Sequence, residues 1–160
     1  MFNQKKKGKV LFLEKHQQFD ILHLLLHANS SRTNRYDHLI NFGKNVEDIV
    51  YGFELYEQKF RSNLLVLSSC ESAAGTPQIG EGTFSLARSF INAGIPEVIA
   101  AQFLIPQTTT AVLMQNFYRH LENEKNAINA MHQAKIDYIN NAKKERHAYP
   151  RFWVGMVVLN

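Results

Sequence analysis

Short, largely apolar runs separated by amphipathic segments constrain this chain of 160 residues more than any other feature of its sequence. The runs cover residues 20–26, 63–69 and 98–103, and a last one covers residues 152–159. Continuous apolar runs of this length are typical of strands that are buried on both faces of a parallel sheet. The sequence therefore predicts a sheet that is covered on both sides.

Helical periodicity occupies segments between these runs. Apolar residues recur at helical spacing over about residues 83–93, 109–121 and 127–140, and Gly94 is a natural residue to follow the first helix. Strands that alternate with helices predict an α/β fold with a mostly parallel sheet and helices on both faces. The remaining segments predict loops at residues 28–35 and 72–82, a polar connector at 143–147, and a short strand with a helical turn at 49–56.

The composition limits the class of protein. A single cysteine excludes an internal disulfide and suits a reducing compartment. No apolar run approaches the roughly 18 residues of a transmembrane helix, and the basic start lacks the features of a signal peptide, so we expect a cytoplasmic protein with no membrane partner. The net charge of +4 comes from clusters at residues 5–9 and 143–146. Neither cluster belongs to a nucleic-acid-binding motif, so no specific nucleic-acid binding is expected.

A histidine and the single cysteine each follow a predicted strand. His27 ends the run at residues 20–26, and Cys70 ends the run at residues 63–69. Sites in parallel sheets form at the carboxyl ends of the strands, so we expect these two side chains to lie close together. An imidazole next to a thiol takes its proton and later returns it to a leaving amine. The pair therefore indicates acyl transfer by a cysteine nucleophile.

Simpler interpretations of the same residues stay open. A lone buried cysteine is usually a small apolar side chain, and a histidine at a strand end is often only a polar group. His23, which alternates with His27, is predicted to pack or to form a hydrogen bond. One cysteine and scattered histidines lack metal-ligand spacing, so neither a metal nor another cofactor is expected. A Rossmann-like binder is disfavoured because Gly80 and Gly82 lack a third glycine and do not directly follow a strand.

Several segments carry a resemblance to a known family. They are His23-Leu24-Leu25-Leu26-His27-Ala28, Leu64-Leu65-Val66-Leu67-Ser68-Ser69-Cys70-Glu71-Ser72-Ala73, Gly80-Glu81-Gly82, Leu86-Ala87-Arg88, Ala93-Gly94, Asn116-Phe117-Tyr118 and Pro150-Arg151-Phe152-Trp153-Val154. In this order the chain resembles the CHAT domain from about residue 20 to residue 160. CHAT domains are caspase- and separase-like cysteine peptidases that are often found beside tetratricopeptide repeats in bacteria.

The resemblance implies a caspase-like α/β fold and a cysteine endopeptidase with a Cys-His dyad. It assigns His27 as the base, Cys70 as the nucleophile, and the backbone amides of Ala28 and Cys70 as the oxyanion hole. The implied partners are a protein or peptide substrate and a regulatory neighbour, such as a tetratricopeptide-repeat region. The candidates for the substrate pocket are Glu71, Phe103 and Gln107.

Departures from the family pattern favour an alternative. Ala28 replaces the usual glycine after the histidine, and Phe103 and Gln107 stand where many members carry Trp and Asp. An Asp at position 107 would favour a basic substrate residue, whereas Gln107 removes that charge. These changes fit a catalytically inactive interaction module. Glu54 matches a recurring family residue but is expected to be only a surface or capping carboxylate.

The domain organisation follows from the same resemblance. Residues 1–18 are predicted to be a basic N-terminal segment, a partial start of the domain that is frayed or truncated over residues 1–9. Residues 19–160 are predicted to be the C-terminal part of a CHAT-like domain. Family members usually carry further strands and helices before the histidine strand, so we expect that portion to be missing.

Overall fold

The computed structural model describes residues 7–25, 27–29, 39–43, 45–68, 81–124, 126–142 and 144–160. The strands within these ranges are β1 (Ile21–Leu24), β2 (His27–Asn29), β3 (Leu39–Asn41), β4 (Ile49–Tyr51), β5 (Leu64–Leu67), β6 (Glu97–Ala101) and β7 (Met156–Leu159). The helices are α1 (Lys7–Lys15), α2 (Gly52–Leu55), α3 (Glu81–Asn92), α4 (Gln107–Glu124) and α5 (Ala127–Asn140). Short 3-10 turns cover His16–Gln18, Val46–Asp48, Glu145–Ala148 and Pro150–Phe152.

The central sheet has the strand order β1-β5-β6-β7. The first three strands are parallel, and β7 runs antiparallel to β6. Strand β5 is buried along its whole length, and its side chains alternate between two apolar clusters. Leu65 and Leu67 face a cluster that contains Phe90 of α3, whereas Leu64 and Val66 face a cluster from α4 and α5. The predicted α/β fold with a mostly parallel sheet and helices on both faces is confirmed.

A second sheet corrects the prediction for the described residues between 20 and 29, whereas residues 30–35 of the predicted loop lie outside the described residues. The apolar run at residues 20–26 was predicted to be one strand, but β1 ends at Leu24 and Leu25 is 74% exposed. His27 instead begins β2, which pairs antiparallel with β3 in the order β2-β3-β4. Ala28, predicted to open a loop, is also in β2. Apolar character predicts a buried strand, but it does not say which strand supplies the hydrogen bonds.

Most other predicted elements are confirmed with shifted ends. Helix α5 coincides with its predicted range, and the strand and helical turn at residues 49–56 appear as β4 and α2. Helices α3 and α4 each begin two residues before the predicted start. The last strand begins only at Met156, because Pro150 opens a 3-10 turn and the aromatic residues after it pack on the α4–α5 cluster. Part of the predicted loop at residues 72–82 lies outside the described residues.

The end of α3 follows the predicted glycine. Gly94 has φ of +108°, a left-handed conformation that strains other residues. Its N–H donates to the carbonyl oxygen of Ile91 at 3.0 Å, and the N–H of Ile95 donates to that of Phe90 at 3.1 Å. This pair of hydrogen bonds satisfies carbonyl groups at the end of the helix. Gly94 therefore stops α3 and turns the chain into β6.

Helix α1 was not anticipated by its basic composition. It begins at Lys7, and Phe12 on it is buried in the same cluster as Phe90. The ring of Phe12 lies 5.1 Å from that of Phe42 and 5.9 Å from that of Phe60, measured between centroids. The helix therefore covers one face of the molecule. Among the described residues, no helix is long and apolar enough to cross a membrane.

Candidate active site

The carboxyl ends of the parallel strands lie side by side. Leu24 of β1 pairs with Leu67 of β5, which pairs with Ala100 of β6. The N–H of Ser68, the residue after β5, donates to the carbonyl oxygen of Leu24 at 3.1 Å. Since β7 runs antiparallel, its first residue, Met156, lies at the same edge opposite Ala101. This edge is where the sequence predicts the site.

Of the predicted dyad, the structure describes the backbone of His27 but not Cys70. The backbone of His27 is the first position of β2, opposite Asn41, and Ala28 lies opposite Ile40. His27 therefore follows the end of β1 but belongs to the smaller sheet. Cys70 and Glu71 lie outside the described residues, so the dyad stays a prediction.

Phe103 lies in the segment that joins β6 to α4, and Gln107 lies at the end of that segment. The ring of Phe103 is 38% exposed and packs on Gly155, where a Cβ atom would come within 2.7 Å of Phe103 Cζ. Gly155 also accepts a hydrogen bond from the N–H of Gln102 at 2.8 Å. Gln107 is the first residue of α4 and is exposed. The two candidates therefore border the carboxyl edge on the β6 side.

A groove of about 380 Å³ lies next to the start of α4. Pro106 and Thr108, which flank Gln107, contribute to its wall, and Phe152 closes it from the C-terminal segment. Its lining is mostly apolar. The groove is therefore suited to an uncharged group rather than to an ion.

His23 forms two side-chain hydrogen bonds at the same edge. Its Nε2 lies 2.7 Å from Ser68 Oγ, and its Nδ1 lies 2.9 Å from Tyr118 Oη. Ser68 is 5% exposed, whereas His23 keeps a solvent-exposed side on strand β1. The prediction that His23 packs or forms a hydrogen bond is confirmed. The three side chains join β1, the end of β5 and α4.

Burial controls the ionisation of this group. It lowers the pKa of His23 below its ordinary value, because an imidazolium loses hydration there. It raises the pKa of Tyr118 above its ordinary value, because the phenolate would lose hydration in the same way. Both side chains are therefore neutral at neutral pH, which leaves three neutral groups joined by two hydrogen bonds.

The partners of His23 escape prediction from the sequence alone. Ser68 lies 45 residues from His23, and Tyr118 lies 95 residues from it. Both residues belong to segments that resemble the family, but the resemblance assigned no role to either side chain. Their contact depends on the parallel register of β1 and β5 and on the packing of α4 over it.

Glu54 has the capping role expected of it. Its Oε2 accepts a hydrogen bond from the N–H of Tyr51 at 2.8 Å, at the start of α2. Its Oε1 forms an ion pair with Lys9 of α1 at 2.9 Å. In the part of the chain that the structure describes, no group of three or more His, Cys, Asp or Glu side chains could hold a metal ion.

Comparison with known proteins identifies one family. The family model of the CHAT domain matches residues 4–159. A search of curated proteins finds no match.

Proposed function

Because the chain belongs to the CHAT domain family, we propose that it is a cysteine endopeptidase in which Cys70 is the nucleophile and His27 is the general base. The family is related to caspase-like cysteine peptidases. The match to the family model covers almost the whole chain. The active dyad and the cleavage of peptides are the parts that we propose.

The register between β1 and β5 is the observation that carries this proposal. Leu24 and Leu67 are paired, so the two strands end at neighbouring positions about 4.8 Å apart. Along the chain, His27 follows Leu24 by three residues, and Cys70 follows Leu67 by three residues. His27 and Cys70 are thus the same number of residues from two paired strand ends. This equal spacing supports the proposal that the imidazole and the thiol lie within reach of each other.

The proposed chemistry uses this pair in two steps. His27 takes the proton of the Cys70 thiol, and the sulfur attacks the peptide carbonyl carbon. The resulting tetrahedral intermediate expels the amine, which receives the proton from His27. Water then hydrolyses the thioester and restores the thiol. The backbone N–H groups of Ala28 and Cys70 are the proposed donors to the oxyanion.

Ala28 does not argue against activity. It lies within β2, and extended backbone is a conformation that alanine adopts without strain. Because the backbone of residue 28 is extended, alanine can stand there in place of glycine without strain. Of the departures from the family pattern, Gln107 carries more weight, because it changes the charge of the proposed substrate pocket.

We propose a substrate pocket formed by Glu71, Phe103 and Gln107. An Asp at position 107 would attract a basic side chain, and Gln107 removes that charge. The proposed enzyme therefore has a weaker preference for a basic residue before the scissile bond than relatives with Asp.

The single cysteine makes a direct test possible. A thiol-reactive acyl probe can label only Cys70, and a peptide library reports cleavage in the same preparation. Replacement of Cys70 by Ser should abolish both signals. His27→Ala should slow labelling at neutral pH by roughly 100-fold, because the thiol loses its base. His132→Ala, at an exposed position on α5, is the matched control and should label like the wild type.

Two outcomes would contradict the proposal. One is a native protein that is not labelled although the urea-unfolded chain is. The other is a His27→Ala variant that is labelled as fast as the wild type. Labelling that depends on His27 but is accompanied by no peptide cleavage would instead favour the inactive interaction module, for which Gln107 is the supporting observation. A tetratricopeptide-repeat region is the proposed regulatory neighbour in either case.

A further inference from the structure

His23 connects the two strands that precede the proposed catalytic residues. It lies on β1, four residues before His27 in the sequence. Its Nε2 lies 2.7 Å from the hydroxyl oxygen of Ser68, which precedes Cys70 by two residues. This hydrogen bond joins β1 to the residue that directly follows β5.

Ser68 is held to β1 at two points. Its N–H donates to the carbonyl oxygen of Leu24 at 3.1 Å, and its hydroxyl group is bonded to His23. The backbone bond fixes the height of Ser68 along the sheet. The hydroxyl bond fixes the rotation of the residue about the strand axis. Ser68, the last residue described in this segment, is therefore fixed relative to β1.

Tyr118 holds the histidine from the opposite side. Its hydroxyl oxygen lies 2.9 Å from His23 Nδ1, and the two rings are 5.8 Å apart between centroids. Tyr118 stands on α4, next to Phe117, which is fully buried in the cluster beneath the sheet. The imidazole is therefore anchored to a helix whose position the core determines.

Both ring nitrogens of His23 are occupied in this arrangement. A neutral imidazole donates from one nitrogen and accepts at the other, and the two hydroxyl groups satisfy either tautomer. Neither nitrogen is left to receive a proton from a thiol. His23 is thus engaged with its neighbours, which is consistent with His27 as the proposed base.

We propose that His23, together with Ser68 and Tyr118, is a positioning residue that fixes the end of β5 two residues before Cys70. The inference rests on the proposed peptidase function. It adds to that function a reason why a second histidine precedes the base on the same segment of chain. His23 itself does not touch the substrate.

Two conservative variants test this role, and the chain offers a matched control. Ser68→Ala and Tyr118→Phe each remove one hydroxyl group from His23. Ser62→Ala removes a comparable bond at the other end of β5, where the buried Ser62 hydroxyl donates to the carbonyl oxygen of Phe19 at 2.6 Å. All three variants retain Cys70 as the sole thiol, and thermal unfolding verifies that each is folded.

The readout is the alkylation of Cys70 by iodoacetamide as a function of pH, together with kcat and KM for a cleaved peptide. In the wild type, pairing with His27 should bring the midpoint below the value of about 8.5 for a free thiol. In Ser68→Ala and Tyr118→Phe the midpoint should move toward that value. Their kcat should fall about threefold to tenfold, the range expected for one lost hydrogen bond. Ser62→Ala should keep the wild-type midpoint.

The outcomes separate this inference from the proposed function. A lowered wild-type midpoint that neither variant changes overturns the positioning role and leaves the peptidase proposal standing. Equal shifts in Ser62→Ala and Ser68→Ala also overturn it, because they indicate general loosening of the strand pair. A wild-type midpoint at the free-thiol value, without peptide cleavage, overturns both proposals. In a double variant that combines Ser68→Ala with Tyr118→Phe, a loss of kcat smaller than the sum of the single losses in free energy supports a single network.

Discussion

His16 shows how much a single buried residue affects the pH range in which the fold is stable. His16 is 2% exposed and packs against Phe60 with the two rings tilted and their centroids 4.2 Å apart. Among the residues that the structure describes, none forms a hydrogen bond with its Nδ1. Burial lowers the pKa of His16, and a hydrogen bond with the side chain of Gln58 offsets only part of that effect. His16 therefore stays neutral to a lower pH in the folded protein than in the unfolded chain.

We predict that the free energy of unfolding falls between about pH 7.5 and about pH 5.5. The unfolded chain takes up a proton near the ordinary histidine pKa of about 6.5, whereas folded His16 resists it. The contribution of neutral His16 to the free energy of unfolding is thus complete above the pKa of the unfolded chain, and it is lost as the pH falls below that value. His23, whose pKa is also lowered, contributes in the same direction. Urea denaturation at both pH values measures the change.

The variant His16→Leu isolates the contribution of this residue. It replaces the imidazole by an apolar group of similar size, so the fall in stability between the two pH values should be smaller than in the wild type. An equally large fall in the variant would contradict the assignment to His16.

At the scale of elements, α4 and α5 form a helix pair that covers the sheet beside the site. Ala130 and Ala134 on α5 are fully buried, and these small side chains let the helix lie close to Phe117 of α4. On the outside of the pair, the Asp137 carboxylate lies 2.7 Å from His120 Nε2. That hydrogen bond is the main reason why the pKa of Asp137 is lowered. The pair orients Tyr118 toward His23.

We predict that the start of α5 depends on Asn126. Its side-chain oxygen accepts a hydrogen bond from the N–H of Asn129 at 2.9 Å and so satisfies a free donor of the first turn. Asn126→Ala should lower the free energy of unfolding by about 1 kcal/mol, whereas Asn126→Ser should retain most of it. Urea denaturation compares the two. Equal losses would show that the cap is not the cause.

At the scale of the whole molecule, one apolar cluster joins the first helix, both sheets and α3. Phe12 of α1, Ile40 of β3, Leu65 of β5 and Phe90 of α3 are all buried in it. The smaller sheet, which begins with His27, is therefore tied to the larger sheet through shared core contacts. Such contacts constrain the backbone of the proposed base relative to β5.

Phe12 provides the test at this scale. Phe12→Ala should lower the free energy of unfolding by about 3–5 kcal/mol, because it leaves a cavity between four aromatic neighbours. Leu11→Ala, at the adjacent position that is 50% exposed, should change it by no more than about 0.5 kcal/mol. Chemical denaturation of both variants measures the difference. Similar losses would contradict the role of α1 in the core.

The sequence by itself determined the features that depend on neighbouring residues. The run Leu64–Leu67 indicated a strand buried on both faces, Gly94 indicated the end of α3, and residues 127–140 indicated a helix at its full length. Burial on both faces, left-handed backbone and helical spacing are all local patterns, so they can be recognised without knowing the fold. The resemblance carried in part by the first two of these, around Leu64–Leu67 and Gly94, also indicated the family.

Only the tertiary structure decided which distant residues meet. In the structure β1 ends at Leu24 and His27 belongs to a second sheet, because residues 27–29 pair with residues 39–41 and not with β5. The tertiary structure also brought Ser68 and Tyr118 to His23 across 45 and 95 residues of chain. Strand pairing and helix packing are contacts between segments far apart in sequence, and no local pattern specifies them.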